Sequence, residues 1–163
     1  MKRLFIAIFA MLAVAGVQAQ IKSVSEYEIG KIGITAPVET FVRVITINDI
    51  ADNRCVFQLS LPSKPTLVVS ISDAELEIIL QKMDEIKVGN MNLNSDYFEK
   101  SFVTHTDNGY VEIGYYIKTK FDTTKSQQWF IKIKDGIYEN SISAPMMDIY
   151  KILGKARAKM QTL

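Results

Sequence analysis

The chain has 163 residues, 48% hydrophobic and 23% charged, with 19 Lys and Arg against 18 Asp and Glu for a formal net charge of +1. This balance, without a basic arm, lacks the electrostatic footprint of a nucleic-acid or anionic-lipid binder. One cysteine excludes an intrachain disulfide, and one histidine with one cysteine cannot assemble a common zinc site.

Lys2 and Arg3 precede an unbroken apolar run over residues 4–17, and Val17-Gln18-Ala19 follows with small residues at its ends. That order predicts a secretory signal peptide over residues 1–19, a single mature domain over 20–163, and a periplasmic or secreted location. Crossing a bilayer takes about 20 apolar residues, so no integral membrane segment is expected after cleavage. Removing Lys2 and Arg3 leaves 17 basic against 18 acidic residues, a mature net charge of −1.

Period-two alternation rich in β-branched and aromatic residues predicts strands at 41–47, 55–61 and 67–71, with a weaker one at 25–34. Cys55 shares a face with Phe57, Leu59 and Leu61 and reads as a small buried hydrophobe. After Ser72, Leu76, Ile79, Leu80, Met83 and Ile86 recur at spacings of three and four, the stripe of an amphipathic helix. Ser72 and Glu75 fit a capping box, Ile71 and Leu76 fit its hydrophobic staple, and Gly89 is placed to end the helix.

The second half repeats this style, with strands predicted at 98–106, 111–119 and 129–133 and a helix over 144–160. Asn108-Gly109 is a strong two-residue turn signal and would set His105 opposite Glu112, with Ser101 two pairs away. The inward face then collects Phe98, Phe102, Val111, Ile113, Tyr115 and Ile117. Ser70-Ile71-Ser72 and Ser141-Ile142-Ser143 each precede a helix, an echo that suggests a β-β-α pseudo-repeat in which Ile142 staples to Met147. The expected fold is α+β: a twisted antiparallel sheet of about six or seven strands with two helices on one face. Leu76, Ile79, Leu80, Met83, Ile149 and Leu153 are expected to pack against Val111, Ile113, Tyr115, Trp129 and Ile131.

Chemistry narrows to one hairpin. A hydrolase would have to use His105, oriented by Glu112, but no Gly-x-Ser-x-Gly elbow is present. The loop at 90–96 alternates Asn and Asp like the start of a calcium loop, yet Ser95 and Ser101 stand where that loop needs Gly and Glu. No metal or cofactor is therefore expected. If Trp129, Ile131 and Ile133 face the core, Phe130 faces out, and Tyr110 and Tyr116 lie on the outer face of the neighbouring hairpin. Exposed aromatics beside Lys and Glu suit a protein or glycan partner.

Tyr97-Phe98-Glu99, Gly109-Tyr110-Val111-Glu112-Ile113-Gly114, Trp129-Phe130-Ile131 and a terminal helix ending Lys155-Ala156-Arg157-Ala158-Lys159-Met160 resemble small exported bacterial proteins of unknown function. The resemblance covers about half the chain and implies an exported α+β domain, with no activity attached. The sequence thus predicts an exported, non-catalytic binding or accessory domain, with a small hydrolase built on His105 and Glu112 as the alternative.

Overall fold

A computed structural model describes residues 21–34, 37–47, 49–88, 97–106, 109–119 and 125–163. The expected signal peptide, the Gly89 helix end, the 90–96 loop and Asn108 lie outside the described residues. The elements run β1 (Ile21–Ile32), β2 (Val38–Ile47), β3 (Ile50–Leu59), β4 (Leu67–Ile71), α1 (Asp73–Val88), β5 (Tyr97–His105), β6 (Gly109–Thr119), β7 (Lys125–Asp135), β8 (Tyr138–Ser143) and α2 (Met146–Met160).

The class is α+β, but the strands divide into two antiparallel sheets of four, ordered β1-β2-β3-β4 and β5-β6-β7-β8, rather than one sheet of six or seven. Each sheet is a meander, in which every strand pairs with its neighbour in sequence. In β2 the alternation holds: Val38, Thr40 and Val42 are buried, while Glu39 and Arg43 face out and pair across the strands with Lys31 at 2.7 Å and Glu26 at 2.6 Å. β8 is a strand the sequence does not predict, because Tyr138–Ser143 reads as polar loop, and only Ile142 of it is buried.

The α1 start forms as its residues dictate. Glu75 N–H donates to Ser72 Oγ at 3.3 Å, Ser72 N–H donates to Glu75 Oε2 at 2.6 Å, and Ile71 and Leu76 are both fully buried. Ser72→Ala should cost about 1 kcal/mol in denaturant unfolding, and a loss under about 0.3 kcal/mol would show that the box contributes nothing. The echo fails at α2: Pro145 is its N-cap without any side-chain cap bond, and Met147 is 59% exposed, so no staple from Ile142 forms and the pseudo-repeat is not confirmed.

Both helices turn one stripe inward, α1 through Leu76, Ile79 and Met83 and α2 through Ile149, Ile152, Leu153, Ala156 and Met160. Leu80 is only partly buried. These stripes and the inner faces of both sheets make one hydrophobic cluster. The packing partners differ from expectation, because α2 lies against β1, β2 and β3 of the first sheet and against α1, while α1 touches β3 and β5. Asn53 of β3 fixes this arrangement by donating to the Met160 carbonyl at 3.1 Å, which satisfies an orphan acceptor at the α2 C-terminus. Arg157 of α2 pairs with Glu77 of α1 at 2.7 Å. Cys55 is fully buried and its thiol is pushed up to about 12 by burial, so it is an inert core group.

Candidate functional site on the outer face of the second sheet

The second sheet has two chemically distinct faces because side chains alternate along each strand. Val111, Ile113, Tyr115, Ile117, Trp129, Ile131 and Ile133 point into the core. The outer face follows from the register in rows: His105, Tyr110, Lys134 and Glu139; then Val103, Glu112, Lys132 and Ser141; then Ser101, Gly114, Phe130 and Ser143; then Glu99, Tyr116 and Gln128. Tyr110, Tyr116 and Phe130 therefore share one surface.

The hairpin register differs from the expected one. His105 stands opposite Tyr110, and Glu112 stands opposite Val103, so the anticipated His105–Glu112 pair is not formed. The faces are unchanged, because the register moves by two residues and the side-chain period is two. Thr106 N–H donates to the Gly109 carbonyl at 2.9 Å, which puts Gly109 inside the ladder rather than in the turn. The reason lies on the other side of β6. A Cβ at Gly109 would stand 1.8 Å from the Lys134 carbonyl oxygen, so this position requires glycine for its close approach to β7.

Glu112 is held elsewhere. It pairs with Lys132 at 2.9 Å, and the two side chains are 12% and 27% exposed. Burial pushes the carboxyl pKa up, but hydrogen bonds from the Ser101 hydroxyl and Lys132, with the Lys132 charge, outweigh it and hold the pKa below its usual value. The same partner raises the Lys132 ammonium. Because the folded pKa is depressed, this carboxylate contributes stability in full above its unfolded value of about 4.3 and loses that contribution as pH falls through the folded pKa. Glu112→Gln should therefore flatten the fall in stability below about pH 5, as read from urea midpoints across pH. An unchanged acid limb would contradict the assignment.

The aromatics sit in a net of charge and hydroxyls. Tyr110 donates its hydroxyl to Glu139, which raises the phenol pKa, and the Lys134 ammonium lies 5.8 Å from its ring centroid. His105 meets Tyr110 edge-on at 6.2 Å and is exposed. Tyr116 donates to Gln128, and its ring lies 6.4 Å from that of Phe130, over which Lys132 sits at 6.0 Å. Phe130 is only 6% exposed although it points away from the core, so its neighbours on this face shield it.

Glu99, Tyr116, Phe130, Lys132, Ser141 and Ser143 line a depression of 330 Å³. Gly114 stands opposite Phe130 in the register, and a Cβ there would stand 2.5 Å from that of Ser101, so this position of β6 requires glycine for its close approach to β5. The serines escaped sequence reasoning because β8 was not seen, although the Ser141-Ile142-Ser143 echo had singled them out. The alternation around Phe130 already implied that Lys132 shares its side. Among the described residues, no group of three or more His, Cys, Asp or Glu could hold a metal ion, and no helix is long and apolar enough to cross a membrane. No protein-family model matches the chain, and no curated protein matches it at a significant level.

Proposed function

We propose that the chain is an exported, non-catalytic binding or accessory domain, periplasmic or secreted after removal of residues 1–19, and that the outer face of its second sheet receives a protein or glycan partner. The observation that carries this reading is the hydroxyl-rich depression of 330 Å³ over Phe130 and Tyr116. The Tyr116 ring, beside the shielded Phe130 and ringed by two serines, a carboxylate and an ammonium, favours a sugar unit, whose apolar face can stack on the tyrosine while its hydroxyls find donors and acceptors.

The hydrolase alternative loses its main support in the register. His105 faces Tyr110, and Glu112, ionised and paired with Lys132, is a weak base and a poor proton donor near neutral pH. Binding of exported protein to an immobilised array of bacterial polysaccharide fragments tests the proposal. Wild-type protein should retain at least one fragment, and Tyr116→Ala should weaken that retention at least tenfold while leaving the fold intact. Retention that ignores Tyr116→Ala would move the site away from this face, and an array with no retained fragment would leave the protein partner as the reading to pursue.

A further inference from the structure

Resting on the glycan reading of the outer face, we infer that its ligand is a chain of sugar units carrying acetamido groups, and that the unit next to the one on Tyr116 occupies an adjoining groove of 260 Å³ where β8 leaves β7 for α2. The site then has two subsites rather than one.

The groove exists because two paired strands end out of step. β7 starts at Lys125, but its pairing with β8 begins only at Phe130 and Ser143, so Gln127 and Gln128 lie past the end of β8. Ala144 N–H still reaches the Trp129 carbonyl at 3.0 Å, and Pro145, extended at φ −59° and ψ 137°, then carries the chain away into α2. The space between residues 127–129 and 144–146 is the groove.

It adjoins the depression at Tyr116. Ser143 lines both, and Gln128, in the wall of the groove, accepts the hydroxyl hydrogen of Tyr116, which lines the depression. At 260 Å³ against 330 Å³ the two are of similar size. A single sugar stacked on Tyr116 leaves the groove unused, whereas a chain has its next unit within reach of it.

The two linings differ in charge, and this sets the substituent. The depression holds Glu99 and Lys132, while the groove holds no charged residue: apart from Ser143 it offers the side-chain amides of Gln127 and Gln128 and the apolar Trp129, Ala144, Pro145 and Met146. The bond from Tyr116 uses the Gln128 carbonyl oxygen, so it does not spend the amide NH2 of that side chain. An acetamido group needs an acceptor for its N–H, a donor for its carbonyl and apolar contact for its methyl group. Glutamine amides supply the first two and the apolar wall the third. An acidic sugar would enter this groove without a cation to pair with, at a desolvation cost.

Trp129 is the only tryptophan of the chain and lines the groove but not the depression, so its emission reports the second subsite. Titration of the full exported protein with N-acetylglucosamine, its disaccharide, and cellobiose, which carries hydroxyls in place of acetamido groups, tests the assignment. The acetylated disaccharide should bind at least tenfold more tightly than either of the others and shift the Trp129 emission. Gln127→Ala, at an exposed position that lines the groove alone, should lower the ratio of disaccharide to monosaccharide affinity at least fivefold, and Tyr116→Ala should weaken both sugars. Binding that depends on Tyr116 but is equal for the single unit and the disaccharide, equal for cellobiose, or silent in Trp129 emission would overturn the second subsite and leave the outer-face reading standing. Absence of Tyr116-dependent binding to all three sugars would overturn it as well, and the polysaccharide array then decides the outer-face reading on its own.

Discussion

Phe57→Ala should destabilise the protein by about 3–5 kcal/mol. Phe57 is fully buried on β3, between Thr40 on β2 and Val69 on β4, and belongs to the cluster that also holds Ile149 and Leu153 of α2. Truncation removes the ring's transfer energy and leaves a cavity where β3, central in its sheet, cannot collapse far. Against a total stability of about 5–15 kcal/mol, such a loss moves the urea midpoint by a large fraction of its value. A change under about 1 kcal/mol would show that the inner face of the first sheet is not part of the common core.

Gly109→Ala separates two readings of one residue. At a position in open space whose backbone alanine can adopt, such an exchange would stabilise by about 0.4–1 kcal/mol through the unfolded chain. The structure predicts the opposite sign. The new methyl group would stand 1.8 Å from the Lys134 carbonyl oxygen and 2.6 Å from its carbon, backbone atoms that no rotamer can move aside. Overpacking of this kind costs about 1–3 kcal/mol and sometimes more, and a backbone neighbour places Gly109→Ala at or above about 3 kcal/mol. The shift would also part Tyr110 from Lys134 and Glu112 from Lys132, so ligand retention should fall with stability. A neutral or stabilising result would return Gly109 to the turn.

Local signals were legible in the sequence where one segment contained all the physics. The Ser72–Glu75 box, the α1 stripe, the bounds of β4 and the outward side of Phe130 each follow from spacing within a few residues. What depended on distant partners was not legible. The division into two sheets hinges on β4 stopping at Asp135 rather than pairing with another strand, and residues 67–71 carry no mark of that. α2 has a stripe that would fit either sheet, and its place on the first is fixed by such contacts as Asn53 with Met160. The hairpin register was misread because a glycine after an asparagine signals a turn equally well when its real task is to let two backbones approach. The site survived the error, since a displacement by two leaves every side chain on its face. The pairing that would have made it an active site did not.

Cross-strand Hα–Hα nuclear Overhauser effects in the β5–β6 hairpin decide between these alternatives most directly. The bond from Thr106 N–H to Gly109 makes their pair a hydrogen-bonded one, so His105 and Tyr110 form the next, non-hydrogen-bonded pair, with Cα atoms about 4.5 Å apart. A strong Hα–Hα effect between His105 and Tyr110, with Val103 similarly close to Glu112, is predicted. A strong effect between His105 and Glu112 instead would restore the acid–base pair on the outer face and contradict the binding-domain account.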